Sequence, residues 1–200
     1  MNWFGIAGSI LIFSLIVVSV FVPWWQVSVG SVDSPLATFQ VSPMSNNFSF
    51  LGQTFTFPLI MAINISVIIS LLAGGIAILI YAINPQKSYA KKLLDFSYRK
   101  PLYALLIFVI GLIITVALTK SMSGLDVPLT GSTNSAVDGS IIQSLLGDIS
   151  ITNILFSAGF QWPFYLVIVS VIFCITAKYY DKKILSATKV TQDLTSNQHP

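Results

Sequence analysis

The chain has 200 residues, of which 54% are hydrophobic and only 8% charged, with a formal net charge of +3. A soluble domain carries roughly a quarter charged residues, so this composition excludes a mainly water-facing surface and makes the lipid bilayer the first expected partner. One Cys (Cys174) and one His (His199) exclude an internal disulfide, a thiolate or imidazole metal centre, and a nucleophile–His pair outside the tail, so no cofactor is expected.

The first apolar run spans 5–22, with Trp3 before it and Trp24 and Trp25 after it as interfacial anchors. It lacks a basic leader and ends in VFVPWW, not in a small-residue cleavage site, so it is expected to stay as a span. The loop over 23–56 alternates apolar and polar residues. Val27 and Val29, Phe39 and Val41, Phe48 and Phe50, then Phe55 and Phe57 are separated by Ser, Thr, Gln and Asn, with Gly30, Pro35 and Pro43 as punctuation. This period of two predicts a small antiparallel sheet. Asn47-Phe48-Ser49 is a glycosylation sequon within it.

The second run, 57–83, carries Ala62, Ser66, Ser70 and Gly74 at every fourth position, with Gly75 beside them. Small stripes let helix backbones approach closely in lipid. Gly111 and Thr115 repeat the spacing in the third run, 102–119, which follows Pro101. Such stripes serve packing within one bundle or against another subunit. Asn64 is the one strongly polar side chain at depth, placed to bond a neighbouring helix or to line a small polar site.

The connection over 84–101 holds Lys87, Lys91, Lys92, Arg99 and Lys100, interleaved with Tyr89, Leu93, Leu94, Phe96 and Tyr98. It reads either as an amphipathic helix on anionic headgroups or as a short solvated turn that sets topology. The loop over 120–161 opens with Ser, Gly, Thr, Asn and Pro. Further on, Ile141, Ile142, Leu145, Leu146 and Ile149 recur at helical spacing after Asp138 and Ser140, which predicts a short amphipathic helix. The fourth run, 162–177, starts at Trp162, and the tail beyond it holds Lys178, Lys182, Lys183 and Lys189.

Nine basic residues therefore fall on one side of a four-span arrangement and Lys120 alone on the other. The positive-inside rule puts the nine in the cytoplasm, with both termini. The same clustering reads as a topology signal, and no nucleic-acid partner is expected. The expected fold class is an all-α membrane protein. It would be a four-helix bundle over 1–183 with a β-like first outer loop, a helix in the second, and a flexible tail over 184–200.

Four spans, internal termini and a β-like first loop resemble the claudin and peripheral-myelin tetraspan architecture. Pro23-Trp24-Trp25-Gln26-Val27 is similar to the start of the claudin first loop. The Gly-Leu-Trp and the two Cys of that loop are missing here, so no site residue is carried over.

None of the four runs holds an Asp, Glu, His, Lys or Arg, and intramembrane groups of these kinds are what pumps and relays use. The expectation is a non-catalytic tetraspan, a structural or accessory subunit that contacts other membrane subunits or itself. One alternative is a small oxidoreductase subunit with a quinone or lipid pocket at Trp24, Trp25, Tyr103, Trp162 and Tyr165. Another is a small-solute transporter that depends on Asn64.

Overall fold

The computed structural model describes residues 2–31, 35–136 and 153–196, with the backbone alone for 123, 136, 153 and 181–196. In chain order the elements are α1 (Trp3–Phe21), β1 (Trp25–Gly30), β2 (Pro35–Val41), β3 (Asn46–Phe50), β4 (Gln53–Phe55) and α2 (Pro58–Ile83). There follow α3 (Ala90–Ser97), α4 (Arg99–Ser123), β5 (Gly131–Ala136), β6 (Asn153–Phe160) and α5 (Trp162–Ser196). Among the described residues four helical stretches are long and apolar enough to cross a membrane: Trp3–Phe21, Pro58–Ile83, Ala90–Met122 and Trp162–Tyr180.

The helix starts follow from local chemistry. Pro58 opens α2, and Pro101 and Pro163 lie in the first turns of α4 and α5, where a missing N–H costs no hydrogen bond. Asn2 caps α1: its Oδ1 accepts from the Gly5 N–H at 3.2 Å. The same buried side chain donates to the Tyr81 hydroxyl at 2.9 Å and to the Ala177 carbonyl at 3.1 Å. One residue thus satisfies the start of α1 and ties it to α2 and α5.

The all-α fold class is wrong. Beside the long helices stands a six-stranded sheet, antiparallel throughout, in the order β4-β3-β2-β1-β6-β5. The first loop contributes β1 to β4 and the second contributes β5 and β6, so β1 is an inner strand paired on both sides. The physical reason is the need to satisfy backbone polar groups. A lone first-loop sheet would leave the β1 edge open, and β6 closes it over Trp25↔Phe160 to Val29↔Phe156. The second-loop strands escape pattern reading because Gly131–Ala136 (GSTNSA) has no apolar alternation and NILFSAGF breaks its own. The helix expected from Ile141 to Ile149 lies outside the described residues.

Two compact units make up the chain. The first comprises Met1–Ile16, Ile68–Tyr103 and Leu166–Pro200. Its core is formed by Ile12, Leu15, Leu71, Ile78, Tyr81, Val167 and Cys174, all at most 1% exposed. Small residues set the spacing there. A Cβ built on Gly5 would stand 2.8 Å from the Ala82 Cβ, and one on Gly8 would stand 3.2 Å from the Cys174 Sγ. Ser9 Oγ donates to the Gly75 carbonyl at 3.0 Å, a bond that needs the two backbones close.

The second unit comprises Val17–Val67 and Ala104–Tyr165 and contains the sheet. Trp24 is fully buried in it, edge-on to Phe108 (5.1 Å between ring centroids) and Phe164 (6.5 Å). Its indole N–H donates to Ser19 Oγ at 2.8 Å. Among the described residues no buried side-chain N or O atom lacks a hydrogen-bond partner.

Candidate interaction surface

Period-two geometry sorts the strand residues into two faces, since directly paired residues share a face. One face collects Trp25, Val27, Val29, Ala37, Phe39, Val41, Phe48, Phe50, Phe55, Phe156, Ala158 and Phe160, with Asn46, Gln53, Thr133 and Ser135 as its polar members. On the other a row of hydroxyls crosses all six strands: Thr54, Ser49, Thr38, Ser28, Ser157 and Ser132. A parallel row of carboxamides, Asn47, Gln40 and Gln26, runs beside it. Within these rows Ser132 Oγ donates to Ser157 Oγ, and Gln40 Nε2 to Gln26 Oε1, both at 3.5 Å. No strand carries a charged side chain in the described residues.

The apolar face is covered unevenly. Around β1 it is closed: Trp25 and Val27 are 4% and 5% exposed, and the Trp25 indole donates to the Leu129 carbonyl at 2.8 Å. Towards β4 it opens, with Phe50 at 39% and Phe55 at 46% exposed, and Phe39, Leu51 and Phe57 also exposed. Within the open zone Phe48 makes edge contacts with Phe39 (5.9 Å) and Phe57 (5.4 Å). The β3–β4 hairpin turns at Leu51 and Gly52, with φ of 49° and 78°. The first of these left-handed positions is unusual for a branched residue and presents the Leu51 side chain at the tip.

The sheet is moored by the Ser42–Ser45 turn. Ser42 Oγ and Ser45 Oγ both donate to the Ser19 carbonyl, at 3.2 and 3.1 Å. That carbonyl belongs to the last turn of α1, where intrahelical donors run out. Ser42 Oγ accepts in turn from the N–H groups of Met44 and Ser45. Next to this turn Asn46 Nδ2 donates to Asn64 Oδ1 at 3.0 Å, tying β3 to α2.

Asn64 is therefore an anchoring residue for the sheet. Asn64→Leu is expected to lower stability by roughly 1–3 kcal/mol, because the Asn46 amide loses its acceptor. A denaturant midpoint measured in detergent reads the change, and adding Asn46→Ala should return part of the loss. If Asn64→Leu left the midpoint unmoved while abolishing uptake of a solute, Asn64 would belong to a transport path.

The remaining residues marked from sequence fall in varied settings. Ala62 and Ser66 are exposed on α2, Ser70 is half-buried, and Gly74 and Gly75 are buried. Ser66 donates to the Ala62 carbonyl one turn back (2.9 Å), and Thr115 does the same to Gly111 (2.8 Å) on an exposed flank of α4. Trp162 is exposed, as an interfacial anchor is, whereas Trp24 and Trp25 are buried in the second unit. Lys87, Lys91 and Lys92 are exposed, and Arg99 and Lys100 adjoin at the start of α4. The side chains of Lys182 and Lys183 lie outside the described residues. Asn47 is exposed on the polar face of β3. Sequence reading missed Gly5, Gly8 and Ser9, although their three- and four-residue spacing is the same signal that marked α2.

No protein-family model matches the chain, and no curated protein sequence matches it. The five-residue likeness at Pro23 to Val27 thus remains one of motif, and the surface has to be read from its own chemistry.

Proposed function

We propose that the chain is a non-catalytic tetraspan membrane protein, a structural or accessory subunit of a larger membrane or envelope assembly. In this reading both termini are cytoplasmic, the sheet lies outside, and the sheet makes the contacts. The observation that carries it is the uncharged, two-faced sheet, whose apolar face is left open along Phe39, Phe50, Leu51, Phe55 and Phe57. Exposed contiguous apolar surface on a folded element marks an interaction site. The orientation rests on the distribution of Lys and Arg.

The sequestered indoles also favour this reading over a quinone pocket. Trp24 and Trp25 spend their N–H groups on Ser19 and Leu129, so two of the five aromatic residues such a pocket would use are committed to the fold.

Two measurements test the proposal. Extraction of the tagged chain from its native membrane in mild detergent should recover a stoichiometric partner or a self-associated form. Association should fall at least severalfold in a Phe50→Ser/Phe55→Ser variant. A lone monomer for the wild type would end the reading. Separately, a membrane-impermeant maleimide added to intact cells should label Thr54→Cys and spare Lys92→Cys. The opposite labelling would invert the topology.

A further inference from the structure

We propose that Arg99 and Lys100, with Phe96 and Tyr103, form a binding site for the phosphate of an anionic phospholipid headgroup. All of these residues lie in the first unit. The inference rests on the membrane reading given above and assigns a lipid partner to the basic end of that unit.

The local geometry follows from the join between α3 and α4. Tyr98, the one residue between them, keeps right-handed helical dihedrals (φ −65°, ψ −25°), and its N–H donates to the Leu94 carbonyl. Helical spacing therefore continues across the join. It brings Asp95, Phe96, Arg99, Lys100 and Tyr103 onto one flank at intervals of three and four. These five line an open groove of about 400 Å³.

The charges in the groove do not cancel. Asp95, its one acid, is taken by Lys178 at 3.1 Å, and the Lys178 ammonium also lies 3.8 Å from the Tyr98 ring centroid. Arg99 donates through Nε to the Tyr98 hydroxyl at 3.3 Å, its Cζ 5.8 Å from that ring's centroid, and its terminal nitrogens have no hydrogen-bond partner among the described residues. Lys100 has no carboxylate partner among the described residues, and its ammonium rests 4.5 Å above the Phe96 ring. Two neighbouring cations without a carboxylate of their own favour an anion, and a phosphate matches a guanidinium fork and a point charge together.

Lys100 is also held in place. A Cβ on Gly74 of α2 would stand 3.0 Å from the Lys100 Cβ and 3.1 Å from its Cγ, so the absent side chain of Gly74 makes room for the lysine stem. Packing at Cβ and Cγ restricts the base of the stem and so lowers the entropy lost on binding. Phe96 and Tyr103 are exposed on either side. The helix then carries no ionisable residue besides Tyr103 until Lys120. An anion seated here belongs to a molecule whose remainder enters hydrocarbon, which selects a lipid over a soluble phosphate.

The test uses the full chain purified in a neutral detergent, where there is no inside or outside, so it stands or falls separately from the maleimide topology experiment. Native mass spectrometry after addition of phosphatidylglycerol or phosphatidylcholine reads the lipids retained. The wild type should keep phosphatidylglycerol in preference to phosphatidylcholine. Arg99→Gln/Lys100→Gln should lose that preference by about tenfold or more. Lys91→Gln/Lys92→Gln, which removes the same charge from α3 outside the groove, should retain it. The glutamine variants keep the stem that packs on Gly74, and a wild-type elution volume in gel filtration confirms their fold. Equal loss in both double variants would reduce the effect to diffuse charge and overturn the site. So would equal retention of the two lipids, or displacement of phosphatidylglycerol by equimolar inorganic phosphate.

Discussion

Trp24→Ala is expected to be the most damaging single substitution in the second unit, lowering stability by about 3–5 kcal/mol. Three losses combine. The fully buried indole leaves a cavity between Phe108 and Phe164, whose rings pack against it. Ser19 Oγ loses its donor at 2.8 Å, on the residue whose carbonyl also receives Ser42 and Ser45. Phe164, stacked on Phe160 at 4.3 Å, loses one wall of its site, which loosens the passage from β6 into α5. Trp24→Phe separates the terms, since it keeps most of the ring and deletes the N–H. It should cost a fraction of the alanine value, near the ~1–3 kcal/mol of an orphaned polar partner. Unfolding followed by fluorescence of the three remaining tryptophans measures both. A near-neutral alanine variant would mean that Trp24 does not hold the unit together.

The second large effect belongs to the first unit. Gly5→Leu must place its Cβ 2.8 Å from the Ala82 Cβ, a distance that real side chains do not occupy, so α1 and α2 have to part or shift. Overpacking of this kind costs about 1–3 kcal/mol, and more where backbone must move. The adjacent bonds from Asn2 to Tyr81 and Ala177 would be strained by the same displacement. Gly111→Leu is the control. A Cβ there meets nothing within 4 Å, and the exchange should leave the thermal midpoint within about 1 °C, or raise it through better helix propensity. Equal responses at the two glycines would contradict the close approach of α1 and α2.

Those two positions also show which part of the structure could be read in advance. Span existence follows from hydropathy alone, because a run without charge has one solvent in which it is stable. The first-loop strands follow from alternation: Val27, Phe39, Phe48 and Phe55 form one directly paired row across β1 to β4. The register of β5 on β6 does not follow, since GSTNSA has no apolar face and gains its place by pairing backbone with NILFSAGF. Packing was legible only as a residue type. Small residues mark where helices can meet, yet Gly111 faces open space while Gly5 touches Ala82. The aromatic residues were legible in the same limited way. An indole beside a span suits an interfacial belt, but Trp24 and Trp25 find Ser19 and Leu129 as acceptors and are buried, whereas Trp162 stays exposed. The Arg99–Lys100 groove needed the helical dihedrals of Tyr98 and the gap at Gly74, neither of which composition reveals.

The absence of charge from all six strands has a kinetic side. Long-range attraction between proteins in water is electrostatic, and it is what lifts association rates above the unsteered range of about 10⁵–10⁶ M⁻¹s⁻¹. A surface of hydroxyls, carboxamides and phenyl rings cannot call a partner from a distance, and it cannot warn off a second copy of itself. Its encounters are decided at contact, by fit and by desolvation. In the proposed assembly, contacts made through the strands should respond little to ionic strength, and confinement to a plane of lipid would make them frequent without steering.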